Sequence, residues 1–296
     1  MESIKKISVI VPTKDRFTVL QKLIYSLNNQ TVLPDELIIV DASINDKTRD
    51  LITSKIYSKN YLIKYYRTKA GLAQQKNIGV AKSNGKLLFF LDDDVVLDKR
   101  FIEIISDTFI KLEKYNVAGI AGRITNTKKT YNLIDRIFKK AFFLTDCGKG
   151  KVKLSGLPEH KIDRELGLVK VLPGGCTAYL KKIFSYYLFD EKLEKYSYLE
   201  DVDFSYRVGK NYLLIYQPHA KLQHFATTFR KRDSKNLRKM MVKNHKYLFK
   251  KNMPKDFVHI IAFILSIVGL LAYNSLLMRD FKACKGVIKG LIEKSN

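Results

Sequence analysis

Three aspartates in a row, Asp92, Asp93 and Asp94, follow five apolar residues in the stretch KLLFFLDDDVVLD. Two like unit charges about 4 Å apart repel by roughly 1 kcal/mol in water and by about 4 kcal/mol at an effective dielectric near 20. A divalent cation removes that repulsion. Hard cations take carboxylate oxygens and leave coordination positions open for phosphate. Residues two apart in an extended chain point the same way, so Asp92 and Asp94 share a face and Asp93 points elsewhere. An acidic pair of this kind after an apolar strand is a candidate site for a metal that carries a diphosphate. The same residues also suit a polar turn that caps the next helix.

The elements that must position them alternate. ISVIVPT, ELIIVDAS, YLIKYYRT and KLLFFL are short apolar runs, and FTVLQKLIYSLNNQ, NDKTRDLITSKIYS and AGLAQQKNIGVAKSNG between them have helical character. In FTVLQKLIYSLNNQ, Leu20, Leu23, Ile24 and Leu27 recur at helical spacing. Continuous apolar strands separated by helices predict a mostly parallel α/β sheet covered on both faces. Ligands of such sheets bind beyond the carboxyl ends of the strands. Thr13, Asp15, Arg16, Asp41 and the aspartate triplet cluster at those ends. Asp41 closes the second strand, where a carboxylate can accept from a base or a ribose. No glycine-rich phosphate cradle follows the first strand, so a diphosphate would rely on a metal and on basic side chains.

Farther along, a helix is expected from Phe101 to about Tyr115. LGLVKVLPGGCTAYLKKIF predicts two strands broken at Pro173-Gly174-Gly175, and a short helix opens near Glu200. YLLIYQPHAKLQHF predicts two further strands, and the stretch from Ile124 to Gly167 has no assignable pattern. A basic helix spans Asp233 to Lys250. The expected division is a first half over 1–125, a second half over 126–232 and C-terminal helices over 233–296.

Lys and Arg number 54 against 29 Asp and Glu, a formal charge of +25. That excess suits an anionic partner. Nucleic acid is not expected, because no zinc finger, RNP-like strand or helix-turn-helix pattern is present. Cys147, Cys176 and Cys284 show no CxxC spacing, which argues against a disulfide framework and a structural zinc. The amino-terminal residues read as a strand rather than a signal peptide. FVHIIAFILSIVGLLAYNSLLM, Phe257 to Met278, has no charged residue and as a helix would be roughly 33 Å long, close to a bilayer's hydrocarbon thickness. Basic residues flank it on both sides. A span would therefore place one basic end outward, and a monotopic or re-entrant segment is favoured. A core helix covered by a neighbour or by a second copy is the soluble alternative.

The stretches ISVIVPTKDR, LIIVDAS, AGLAQQKNIGVAKSNGKLLFFLDDD, PGGCTAYLKK and YLEDVDFSYRV stand in the order and spacing of inverting family-two glycosyltransferases with a GT-A fold. The resemblance runs from about Ile7 to Lys250, and it implies that 1–125 is the nucleotide-sugar-binding half and 126–232 the acceptor and catalytic-base half of one domain. It implies that Pro12, Thr13, Asp15 and Arg16 hold the nucleotide and that Asp41 contacts the base. Lys76 would lie near the nucleotide, Asp92 and Asp93 beside the donor, and Asp94 with Asp92 on a Mn2+ or Mg2+ ion. His224 would complete the metal site, with His219 as the alternative. Gly174, Gly175 and Glu200 would line the acceptor site, and Asp201 would be the catalytic base. The implied partners are a nucleoside-diphosphate sugar donor, a glycan or lipid-linked glycan acceptor and the anionic cytoplasmic face of the cell membrane, reached through 257–292. An oligomer is compatible with this reading.

One base and no enzyme nucleophile imply a single displacement with inversion. Without the upstream motifs, Glu200, Asp201 and Asp203 would read as first-turn acids favoured by a helix dipole. The chain has no tryptophan, and so lacks the Q-x-x-R-W signature of the family's processive synthases. Transfer to a polyprenyl phosphate and a catalytically idle membrane scaffold are the competing readings.

Overall fold

The structure is a computed structural model that describes residues 6–53, 60–126, 133–161, 164–193, 197–225 and 233–293. In chain order its elements are β1 (Ile7–Thr13), α1 (Phe17–Asn28), β2 (Glu36–Asp41), α2 (Lys47–Thr53), β3 (Leu62–Arg67), α3 (Leu72–Lys82), β4 (Leu87–Leu91), β5 (Val95–Leu97), α4 (Phe101–Lys111), β6 (Val117–Ile124), α5 (Leu133–Ala141), β7 (Asp146–Gly148), β8 (Lys151–Val152), β9 (Pro158–Lys161), β10 (Gly167–Val169), β11 (Cys176–Leu180), α6 (Glu200–Val208), β12 (Leu213–His224), α7 (Ser234–Asn252), α8 (Phe257–Ala272) and α9 (Phe281–Ile292). The helix expected over 45–58 is seen as α2; residues 54–59 lie outside the described residues.

Two compact units form. One comprises Met1–Thr127 and Ile162–Ala226, the other Lys128–Lys161 and Thr227–Asn296. The sequence reading grouped 128–161 with the acceptor half. The described part of that stretch, 133–161, clusters here with the C-terminal helices, on which its side chains pack. Phe138 lies 6.0 Å from Tyr273 between ring centroids. The His245 ring meets the Ser155 carbonyl.

The first unit is built on a sheet of order β10-β12-β6-β11-β4-β1-β2-β3, with β5 on β12. β1 pairs parallel with both β2 and β4, so that Ile10 stands opposite Ile38 and Phe90. Every residue of β1, β2 and β4 is buried, so both faces of the pleat are covered. Leu20, Leu23, Ile24 and Leu27 of α1 are fully buried, as their spacing predicts. β11 then inserts antiparallel between β4 and β6, with Ala178 opposite Phe89 and Ile120. The two strands expected from YLLIYQPHAKLQHF are one strand, β12. Its register against β6 shifts between Tyr216 and Lys221. That irregularity absorbs Pro218, which has no N–H to give a regular ladder.

In the second unit α7 packs along α9, with Val242, Ile267 and Val287 in a shared core. α8 ends in a π-helical turn at Tyr273–Leu277, and α9 begins after Arg279 adopts a left-handed φ of 49°. Asp280 caps α9 by accepting from the Ala283 N–H at 2.9 Å. The stretch 133–161, unassigned from sequence, supplies α5 and a three-stranded sheet of order β7-β9-β8.

His245 of α7 is 2% exposed, and its Nε2 donates to the Ser155 carbonyl at 2.6 Å. Burial lowers its pKa to about 4. The unfolded chain therefore takes up this proton first as the pH falls from the ordinary value near 6.5. Stability is lost progressively between about pH 6.5 and 4, by about 3 kcal/mol in total. Urea midpoints measured across that window are expected to fall steeply for the native chain. In His245→Gln the drop over the same window should be mostly absent.

Candidate active site

Parallel pairing brings the carboxyl ends of β1 and β2 together, and Thr13 stands opposite Asp41. Gln75 of α3 locks this edge: its Nε2 donates to the carbonyls of Thr13 (3.0 Å) and Val40 (2.8 Å). After β1 the chain turns left-handed at Asp15, with φ 55°. The Asp15 N–H donates to the Ser43 hydroxyl at 2.7 Å. The turn carries Arg16 back over the aspartate triplet. Pro12 is buried within β1 opposite Val40.

The triplet divides its roles. Asp93 is 4% exposed, accepts from the Thr13 hydroxyl at 2.7 Å and pairs with Arg16 at 2.7 Å. Asp94 pairs with the other terminal nitrogen of Arg16 at 2.6 Å and with His224 Nε2 at 2.9 Å. Asp92, one-third exposed, lies 3.6 Å from the same His224 nitrogen. His224 arrives because β12 pairs antiparallel with β5, which sets His224 opposite Val95. Donor atoms of Asp92, Asp94 and His224 fall within 4.8 Å of one another. His219 is exposed on β12 and stands outside that group.

Burial pushes Asp93 up to about 7, even with Arg16 alongside. For Asp94 burial acts the same way, but hydrogen bonds from His224 and Arg16 overcome it and hold the group down to about 2. Two carboxylates and an imidazole nitrogen, one of the carboxylates firmly ionised, form a donor set that suits a manganese- or magnesium-like ion. The residues present therefore fit the divalent cation expected from sequence.

A second acidic group sits at the start of α6. Asp201 is half-buried. Its Oδ2 accepts from the Gly174 N–H at 2.9 Å and its Oδ1 from the Val202 N–H at 2.9 Å. Burial raises its pKa, against the pull of Lys76 and these two N–H groups. Glu200 is buried and accepts from Lys76 Nζ at 2.6 Å. Burial pushes Glu200 up to about 7. Lys76 is 1% exposed. Burial works against its charge, yet Glu200 beside it, with Asp92 and Asp201 near, keeps the ammonium above its ordinary range. A Cβ on Gly174 would stand 3.0 Å from both Lys76 Nζ and Glu200 Oε1. Only glycine permits this approach without displacement.

Asp41 has no solvent exposure. Its Oδ1 accepts from the N–H and hydroxyl of Ser43, and its Oδ2 from the Tyr65 hydroxyl at 3.0 Å. The carboxylate thus organises the loop after β2. Ser43, Tyr65, Gln75 and Phe189 all shape this edge, and none was singled out from sequence. Their polar or aromatic types follow no period. Apart from the Ser43 bond to Asp41 two residues away, their roles arise from contacts 24 to 113 positions apart, Lys76 to Phe189 among the longest, where the ammonium lies 5.1 Å from the ring centroid.

The family described as Glycosyl transferase family 2 matches residues 8–188. The chain is similar to the poly(ribitol-phosphate) beta-N-acetylglucosaminyltransferase TarP of Staphylococcus aureus (strain N315), at 27% identity over 66% of this chain and 66% of that protein. It is 36% identical to the GalNAc(5)-diNAcBac-PP-undecaprenol beta-1,3-glucosyltransferase of Campylobacter jejuni, over 30% of this chain and 29% of that one. The chain thus spans about two thirds of the first relative's length and under a third of the second's. Among solved structures it resembles GalNAc-T7 with UDP, GalNAc and Mn2+, with a TM-score of 0.63 and 15% identity, covering 96% of this chain and 58% of that one. It also resembles S. aureus TarS 1-349 in complex with UDP, with a TM-score of 0.55 and 14% identity, covering 93% and 73%. At these identities the likeness is one of fold, and the expected GT-A architecture is borne out.

A Cβ on Gly175 would fall 2.1 Å from Asp92 Oδ2. The flexible carboxylate can swing away at small cost to stability, but in doing so it leaves His224 and Asp94. Gly175→Ala is expected to keep its melting temperature within a few degrees. Its Mn2+ affinity, read by calorimetry, should weaken by about 10- to 100-fold, the range typical of perturbed metal surroundings.

Proposed function

The chain belongs to glycosyl transferase family 2, and on that premise we propose that it moves one sugar from a nucleoside-diphosphate donor to a glycan or lipid-linked glycan, with inversion at the anomeric carbon. The observation that carries this reading is the meeting of two acidic groups on one sheet edge. Asp92 and Asp94 lie with His224 in a cation-sized cluster, and Asp201 stands across the Gly174-Gly175 segment from them.

In this reading Asp201 takes the proton of the acceptor hydroxyl as that oxygen bonds to the anomeric carbon. The bond from that carbon to the phosphate oxygen breaks, and its electron pair leaves with the nucleoside diphosphate. Each oxygen of Asp201 accepts from one backbone N–H, which aims the base at its acceptor. A divalent ion held by Asp92, Asp94 and His224 would supply charge neutralisation for the departing diphosphate. Arg16, forked across Asp93 and Asp94, keeps those two carboxylates in register with Thr13. The UDP in two solved neighbours, and the Mn2+ in one, support a uridine donor and manganese. The names of the two relatives support an acceptor of the poly(ribitol phosphate) or undecaprenol-diphosphate class.

We also assign the second unit to the cytoplasmic membrane face, lying in the plane of the interface. The helix through Phe257–Leu277 is long and apolar enough to cross a bilayer. At 100° per residue, the exposed Phe257, Ile260, Ile261, Ile264 and Val268 of α8 fall on one arc. Ala262, Ser266 and Gly269 are buried on the opposite side, and the buried Ile267 borders the arc. α9, which shares a core with α8, exposes Phe281, Ile288 and Ile292 beside Lys282, Lys285 and Lys289. A crossing α8 would draw those lysines toward hydrocarbon at about 2.5–3.5 kcal/mol each. An in-plane helix leaves them at the head groups, where each is worth about 1 kcal/mol on an anionic surface.

The donor is tested by thermal shift with a panel of nucleoside diphosphates and their sugars, with and without manganese. A manganese-dependent rise with UDP and one UDP-sugar is expected; no rise with any nucleotide would sink the enzymatic reading. Asp201→Asn should keep that shift while donor turnover falls by about 100- to 10,000-fold, the usual worth of a positioned base. The full-length chain is expected to float with vesicles containing phosphatidylglycerol and to be released by alkaline carbonate. Ile264→Glu with Val268→Glu should abolish flotation with unchanged helicity. Resistance to carbonate would mean a spanning helix, and no flotation at low salt would remove the membrane from the picture.

A further inference from the structure

We propose that Lys76 is a positioning residue for Asp201, acting through the two backbone groups that flank the Gly174 Cα, with Glu200 as the counter-charge that fixes the lysine. The inference rests on Asp201 being the base and goes beyond it, because it gives Lys76 and Glu200 a task other than contact with the nucleotide or the acceptor.

The connections form one chain of atoms. Lys76 Nζ donates to Glu200 Oε1 at 2.6 Å and to the Gly174 carbonyl at 3.3 Å. The same Gly174 residue presents its N–H to Asp201 Oδ2 at 2.9 Å. A lysine that holds one side of this residue therefore bears on the orientation of the donor that aims the carboxylate. The ammonium is enclosed on its remaining side by the Phe189 ring, 5.1 Å away. Phe189 is itself fixed twice. Asn77, next to Lys76 on α3, donates to its carbonyl at 2.9 Å and accepts from its N–H at 3.0 Å. Its ring also stacks on Phe204 of α6 with centroids 4.2 Å apart. Two adjacent residues of α3 thus clamp both the 173–175 segment and the helix that bears Asp201.

The backbone before Asp201 shows why a clamp is needed. Ser197 and Leu199 both adopt left-handed conformations, with φ of 47° and 73°. Such conformations in non-glycine residues persist only where the surroundings over-determine them. Glu200 follows directly and is tied to α3 by the ion pair. A buried pair of charges is no better for stability than well-packed apolar side chains of the same volume. Its retention here matches a demand for orientation. Among the described residues, the charged and titratable groups that face Asp201 are Lys76 from α3, Asp92 from the end of β4, Cys176 and Tyr179 from β11, and Glu200 from its own helix. Lys76 is the cation among them.

The test uses the full-length enzyme with manganese and the UDP-sugar selected by the thermal-shift panel. Lys76→Met is compared with Lys76→Arg and with the charge-free double variant Lys76→Met, Glu200→Met. Lys76→Met should lower kcat for UDP release by about 100-fold, the low end of a positioned base's contribution. The donor KM and the UDP affinity should stay within about twofold, because a residue acting on the base does not set ground-state donor binding. Lys76→Arg should recover part of kcat, and the double variant should recover the melting temperature but not kcat. A crystal structure of Lys76→Met should show the Gly174 N–H turned from Asp201. A proportionate rise in donor KM would make Lys76 a nucleotide ligand. A double variant that regains kcat together with stability would make the pair purely structural. An unmoved Gly174 peptide would also overturn the inference. If Asp201→Asn itself turns over normally, it is the base assignment that fails, and the Lys76 readouts separate the two cases.

Discussion

The structure depends on how one sheet edge tolerates its own negative charge. Asp92, Asp93, Asp94, Glu200 and Asp201 gather there, and four of the five are strongly buried or fully hydrogen-bonded. Unscreened like charges at such spacing would cost several kcal/mol. Among the described residues three cations or potential cations answer them, and each comes from a different element. Arg16 comes from the turn after β1, Lys76 from α3 and His224 from the end of β12. Compensation leaves the carboxylates unequal. Asp94 is firmly ionised, while burial raises Asp93, Glu200 and Asp201 above the ordinary carboxylate range, with Lys76 opposing the rise at Glu200 and Asp201. An edge that sorts its acids in this way can devote one to a cation and another to a proton.

Topology supplies the partners. The parallel half of the sheet aligns the ends of β1 and β2, which fixes Thr13 beside Asp41. The antiparallel insertion of β11 beside β4 sets Cys176 against Leu91 and runs the preceding glycines past Asp92. The long β12 reaches β5 only because its register slips at Pro218. Without that slip, the parity of β12 would turn His224 to the other face. Aromatic packing of Phe184, Phe189 and Phe204 then fastens α6 against this frame.

The second unit resolves a different conflict, between a charge-free apolar segment and a strongly basic chain. α8 buries one face on its neighbours and leaves an aliphatic arc exposed. Exposed contiguous apolar surface on this scale is uncommon unless something covers it. The lysines of α9 lie beside the apolar residues rather than opposite them, which suits a boundary between lipid and water.

Much of the first unit is written in local pattern. Continuous apolar runs, helical spacing in α1 and an acidic triplet after β4 are properties of neighbours in the chain, so the α/β sheet and the candidate cation pair were legible before any coordinates. The apolar length of 257–278 was equally plain. What required the tertiary structure was every pairing between distant residues. Sequence treated Lys76 and Glu200 as separate expectations, and it is folding that joins the two across 124 positions. It offered His219 beside His224, and strand register excludes His219 from the cluster. It left 133–161 without a pattern, because short strands and a nine-residue helix draw their stability from packing on the C-terminal helices. Local periodicity reports which face of an element is apolar, but the protonation and aim of a side chain follow from what burial and distant partners bring to it. For that reason the sequence alone determined the kind of site this protein carries, and only the fold decided which charge holds which.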